Sequence, residues 1–323
     1  MKPIPFLLIL CCIFGCAKTD EAEIRSAVSE AKYFLNSMEC DKAMEVLTEV
    51  GFQDDNADYI KVYASAQACK AGYKVLDVLF GGNLGNISST SLLSSLASFT
   101  TSNETTADST EYTALKNAIT TLIEAGGGTQ PSTTARNTAF GLAKSGDLSL
   151  QALYMIFIQM GKFFALYGDA DAAGTKGAGG NNSCIFSYTT NDAVDWISVN
   201  TPGSCSSATG SEGAALLESP ETAANIKRRL CEGIVLYNNM MDILSNVTLP
   251  GSSELGDVGN IQTQLSNLMA VAEAAETGVF NDGSATGLNA IATLKTVTGQ
   301  ATCEAEELDR IEKFYAIFFE TIF

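Results

Sequence analysis

The sequence predicts an all-α protein: helical hairpins, then an irregular helical bundle carrying one long disulfide-closed loop. Two observations predict it. Apolar side chains return at steps of three and four through most of the chain, the spacing that lines one face of a helix. Between those segments lie stretches of Gly, Ser, Thr and Asn, which end helices rather than build strands. With Cys11 and Cys12 in the amino-terminal leader and Cys16 just after it set aside, the six remaining cysteines form an even set that suits cross-linking of such a fold.

From residue 21, Ile24, Val28, Ala31, Leu35 and Met38 step by 4, 3, 4 and 3, one face of an amphipathic helix. A second helix is expected over 41–50, opened by Asp41 as N-cap, with Ala43, Leu47 and Val50 inward and Gly51 at its end. Asp54, Asp55 and Asn56 make a turn. A third helix is expected over 57–71 and a fourth over 73–80, divided by Gly72. Residues 81–110 read as a Ser/Thr/Gly-rich linker with one short apolar stretch at 92–99.

Helices resume at 111–125, where Tyr112, Leu115, Ile119 and Leu122 share a face before Gly126, Gly127 and Gly128. A short helix over 132–144 precedes 148–166, which is apolar nearly all round and carries Gln151, Gln159 and Lys162. Those three polar residues mark it as a helix buried in protein rather than in lipid. Residues 168–213 change character to Gly, Ala, Asn, Ser and Thr around Trp196, the only tryptophan. A loop of that length is functional or disordered, so it is the first place to look for binding. The chain then returns to helices over 221–246, 260–277, 284–297 and 302–323. The resulting division is a leader (1–15), an anchor with hairpins (16–80), the linker (81–110) and the bundle (111–323).

The run Cys40-Asp41-Lys42-Ala43-Met44-Glu45-Val46-Leu47-Thr48-Glu49-Val50 resembles the second helix of a tetratricopeptide repeat. Ala43, Leu47 and Val50 fall at its packing positions. Residues 57–72 resemble the next first helix, with Gly72-Tyr73 at the corner. The resemblance covers about residues 22–80 and implies a concave face for partner peptides.

Cys40 and Cys69 lie about equally far on either side of the Asp54–Asp55 turn, so an antiparallel hairpin places them side by side. That makes Cys40–Cys69 the firmest expected bridge. Cys184 and Cys205 bracket most of the long loop and are expected to close it. Cys231 and Cys303 remain, paired by elimination as much as by geometry. No C-x-x-C spacing is present, so all six are assigned as structural.

The chain opens with one cation, Lys2, then an apolar run over 6–14, then Gly15-Cys16. That is the plan of a secretory signal, too short to span a bilayer. Ile13-Phe14-Gly15-Cys16 resembles the lipobox of bacterial lipoproteins. The resemblance implies cleavage before Cys16 and acylation of Cys16, palmitate included. Ala17 after the cysteine, where an Asp would favour inner-membrane retention, tilts the expected location to the outer membrane facing the periplasm.

A net charge of −18 argues against nucleic acid as a partner. The chain has no histidine, which excludes Ser-His-Asp and Cys-His nucleophile systems and the usual zinc sites. No catalytic arrangement of the remaining residue types is visible, so the protein is expected not to be an enzyme and to need no cofactor. Asp169 and Asp171 resemble the start of a calcium loop, but Ala173 and Gly180 stand where further ligands belong, leaving at most a weak Ca²⁺ site. Trp196, Phe186 and Tyr188 are candidates for an aromatic ligand platform, against the alternative that they form the loop's own small core. The function these features favour is a lipid-anchored, protein-binding scaffold or accessory subunit of an envelope complex. A small-molecule or ion-binding accessory to a transporter is the alternative.

Overall fold

A computed structural model describes residues 21–73, 108–128, 130–168, 223–247, 256–279 and 289–320, with Cys184, Tyr188, Ala193, Trp196 and Ile197 individually. Every element among them is a helix, and the protein is all-α. The expected helix over 73–80 falls outside the described residues from residue 74 onward.

Helix α1 (Glu21–Asn36) buries Ile24, Ala27, Val28 and Ala31, and the chain reverses through Met38 in the left-handed region (φ 58°). Helix α2 (Cys40–Glu49) lays Ala43 and Leu47 against it. Helix α3 (Ala57–Lys70) starts where Asn56 Oδ1 accepts from the Tyr59 amide at 3.0 Å. It is buried on two sides. Tyr59, Val62 and Ala66 complete the small core of α1 and α2, while Ala57, Ile60, Ala64 and Ala68 join the main core. The many alanines let neighbouring backbones approach from both sides. Cys40 is bonded to Cys69, 29 residues on, joining the start of α2 to the end of α3 as equidistance from the turn predicts.

Helix α4 (Thr110–Ile123) is capped by Ser109, whose Oγ accepts from the Tyr112 amide at 3.1 Å. The expected linker therefore stops short of residue 110, and its end is pinned: Asp108 binds both Arg228 and Arg229. Helix α5 (Thr133–Tyr167) holds the predicted segments 132–144 and 148–166 and is bent at Gly141 (φ 76°, ψ 161°), inside the first of them. The bend is sharp. Residues 13 apart in a straight helix stand about 20 Å apart, yet Arg136 Nε donates to Ser149 Oγ at 3.0 Å. The second limb is the only candidate membrane span among the described residues, and 89% of its apolar window is buried in protein. Tyr112, Phe157, Phe163, Phe164 and Tyr167 fill the space around it.

Helix α6 (Ala223–Asn246) packs on α5 and organises the remaining chain. Asn238 Nδ2 donates to the carbonyls of Leu294 and Val297, both at 2.7 Å, and Cys231 is bonded to Cys303. Helix α7 (Gly256–Val279) brings Glu276, whose buried carboxylate accepts from the amides of Ala290 and Ile291. There it caps α8 (Ala290–Leu294). The helix expected over 284–297 is thus seen only from Ala290. Asn289 ahead of it is left-handed (φ 90°).

The single helix expected over 302–323 is instead three pieces: α9 (Gln300–Glu304), α10 (Leu308–Phe314) and a π-helical turn (Tyr315–Phe319). The reason is anchorage. Cys303 is held to α6 by its disulfide and Gln300 by a bond to the Arg228 carbonyl at 2.8 Å, so the chain must re-aim through Glu307 before α10 begins. The π turn then continues the burial begun in α10: Ile311 through Phe314 and Tyr315 through Phe319 are all buried. Gly233 on α6 accommodates it, since any side chain there would collide with Tyr315 and Phe163.

Candidate functional site

A half-open cleft of about 510 Å³ lies where α3, the end of α4 and the first limb of α5 meet. The α2–α3 turn supplies Phe52, Asp54 and Asp55, and α3 supplies Ile60. Thr120, Thr121, Glu124 and Ala125 come from the end of α4, Ala139 and Phe140 from α5.

Each wall has an identifiable support. Gly51 turns the chain out of α2 in the left-handed region (φ 72°), and Gln53 Nε2 donates back to the Val50 carbonyl at 2.7 Å. Phe52 rests edge-on against Tyr63 (5.2 Å between ring centres) and Tyr59 (5.9 Å), yet remains 55% exposed. Tyr59 itself is buried and donates to the Leu47 carbonyl at 2.8 Å, and burial pushes its phenol up to about 12. Thr121 Oγ1 donates to Gln67 Oε1 at 2.9 Å, tying α4 to α3.

The third wall depends on Gly126 (φ 93°), where an added Cβ would come within 3.0 Å of the Ala139 Cβ. Only glycine allows both that backbone and that approach. Behind it Arg136, with no exposed surface, gathers three elements. Its Nη1 donates to the Ile123 carbonyl at the end of α4 (2.8 Å), its Nη2 to Thr133 Oγ1 (2.9 Å) and its Nε to Ser149 Oγ. Asp242 of α6 lies 3.6 Å from Nη2 and accepts from the Thr133 amide at 2.6 Å. Burial lowers the guanidinium's pKa, and Asp242 opposes that shift.

The cleft is acidic and partly apolar. Asp54, Asp55 and Glu124 line it, and no Lys or Arg does. Partial burial raises the Glu124 carboxyl above its ordinary value. A shallower hollow of about 430 Å³ lies on the outer face of α2, between Asp41, Glu45, Glu49 and Lys70, where Asp41 pairs with Lys70 at 2.7 Å. That hollow is a solvated ion-pair surface.

Deeper charges act as ties between helices. Glu232 of α6 accepts from Lys116 of α4 at 2.7 Å and from Gln159 of α5 at 3.2 Å. Burial would raise the Asp108 carboxyl, but hydrogen bonds and charge from Arg228 and Arg229 outweigh it and hold the group below its ordinary value. The basic trio at 227–229 is therefore partly internal: the Arg229 side chain is 3% exposed.

The sequence candidates fall elsewhere. Trp196 and Tyr188 are buried in the main core, with Cys184, Ala193 and Ile197. Tyr188 donates to the buried Glu320 at 2.8 Å, and burial followed by the Glu320 charge raises its phenol well above the ordinary value. The two aromatics therefore serve packing and offer no surface platform. Phe186 lies outside the described residues, as do Asp169, Asp171, Cys205 and Cys16. Cys184 is disulfide-bonded. Among the described residues no group of three or more Cys, Asp or Glu is placed to hold a metal ion. The cleft residues went unread because Phe52 and Glu124 stand beside turns, where the only signal was an exposed aromatic next to acidic residues. Comparison with known protein families, with curated proteins and with solved structures returns no match.

Proposed function

We propose that this chain is an exported, lipid-anchored protein that works by binding a partner polypeptide, not by catalysis. Acylated at Cys16 and facing the periplasm from the outer membrane, it would serve as a scaffold or accessory subunit of an envelope complex. The cleft between α3, α4 and α5 carries the reading. It combines an exposed aromatic, apolar walls and three carboxylates, the composition of a partner groove rather than of an enclosed small-molecule pocket. The tetratricopeptide resemblance of residues 22–80 supports the same use. Its second wall comes from α4 and α5, beyond that region.

Two measurements test it. Labelling with an alkyne analogue of palmitate is expected to mark the parent and not a Cys16→Ser variant. Native isolation in mild detergent is expected to recover a discrete envelope protein with the parent and lose it with Phe52→Ala. Recovery of a small ligand and no protein partner overturns the scaffold reading.

A further inference from the structure

We propose that the cleft takes a polypeptide segment in which one large apolar side chain is flanked by lysine or arginine. The proposal rests on the partner-binding reading and adds the chemistry of the occupant.

Three features argue for it. First, the lining is charged with one sign: Asp54 and Asp55 from the α2–α3 turn and Glu124 from the end of α4, with no cation among the lining residues. Neither Asp54 nor Glu124 takes part in an ion pair among the described residues, whereas Asp41, Asp58, Asp108 and Asp147 on nearby surfaces do. The two carboxylates approach from different elements, so cations on either side of an anchored side chain can meet both. Second, Glu124 is partly desolvated with nothing to offset the cost, and an arriving cation supplies that offset. Third, the floor and sides are apolar: Phe52, Ile60, Ala125, Ala139 and Phe140. A volume of about 510 Å³ lies within the range of ligand-sized sites and accepts an aromatic or long aliphatic side chain with its neighbours.

The same features exclude other occupants. Phosphorylated or acidic segments and nucleic acid would bring like charge to an acidic rim on a chain of net charge −18. A purely apolar segment would bring no cation to Asp54 or Glu124. A free cation would leave Phe52 exposed.

The probe is a pentapeptide with p-benzoylphenylalanine between two lysines, irradiated with the full purified chain and mapped by mass spectrometry. A matched probe with two glutamates is the control. Labelling is expected within residues 52–60, 120–127 or 139–140, and about threefold or more above the control, the factor two weak ion pairs supply. Asp54→Asn with Glu124→Gln, near-isosteric and on the surface, is expected to weaken that preference, Asp55 alone remaining of the three acidic lining residues. Phe52→Ala is expected to lower labelling by both probes. Equal labelling by the two probes, labelling elsewhere, or a lysine preference undiminished by the double substitution overturns the proposal. If the lysine probe fails while Phe52→Ala still loses its native partner, the scaffold reading stands and only this ligand chemistry falls.

Discussion

Replacing Arg136 with methionine keeps much of the side chain's volume and deletes the guanidinium's own ties at the joint between α4, α5 and α6. The guanidinium is fully buried and donates to Ile123, Thr133 and Ser149. Hydrogen bonds from a charged donor contribute about 1.5–3 kcal/mol each, and breaking a buried ion pair costs about 3–5 kcal/mol. Asp242 moderates the loss, because its side chain is 19% exposed and keeps its bonds from the Thr133 amide and hydroxyl. The net expectation is a loss of about 3 kcal/mol, or roughly 4–5 °C in melting temperature for a chain of 323 residues. Urea and thermal unfolding followed by circular dichroism, with disulfides intact, measure it. Asp242→Asn alone and combined with Arg136→Met completes a cycle, in which residues sharing Thr133 should couple by about 0.5–3 kcal/mol. A loss under about 1 kcal/mol for Arg136→Met, or strict additivity in the cycle, would refute the claim that this network fixes the bend of α5.

Gly126→Ala forces a Cβ into the left-handed region and against Ala139, so a lower urea midpoint by about 1–3 kcal/mol is expected, against no change if the turn has slack. By the chain-entropy account, losing Cys231–Cys303 (72 residues apart) costs about 4.5 kcal/mol and losing Cys40–Cys69 (29 apart) about 3.5. Paired Cys→Ser variants measured in the same buffer should keep that order, and a reversed order would contradict it. The depressed Asp108 carboxyl contributes stability that is complete above its unfolded value and is lost as pH falls through the folded one. Asp108→Asn is therefore expected to lose stability at pH 7 and to converge with the parent in strong acid. Parallel pH curves would rule the Asp108 pairs out as that source. Glu124 is shifted the other way, so labelling by the lysine probe should strengthen as pH rises through the carboxylate range, and less so in Glu124→Gln, where Asp54 and Asp55 remain.

Local patterns read well wherever local physics governs. The spacing of Ile24, Val28 and Ala31 placed α1, and Cys40 and Cys69 found each other because equidistance from a turn is a property of the chain itself. The polar residues of α5 marked it as an internal helix before any packing was known. Patterns failed where distant anchors took over. A continuous helix over 302–323 was the natural reading of its apolar steps, but the bond from Cys303 to Cys231 and the tie from Gln300 to Arg228 broke it. Trp196 stood out as a lone aromatic in a polar loop, and the core claimed it. Phe52 and Glu124 carried no periodic signal, since both sit at helix ends.

Sequence alone settled that this protein is helical, that its chemistry excludes histidine-based catalysis, and which cysteines of the first hairpin join. Those properties follow from composition and from contacts within a few turns of chain. Tertiary structure alone decided where α5 bends, which arginines are internal, and that three carboxylates share a cleft with Phe52 and Phe140. Those depend on segments separated by tens of residues, whose meeting is set by how helices pack.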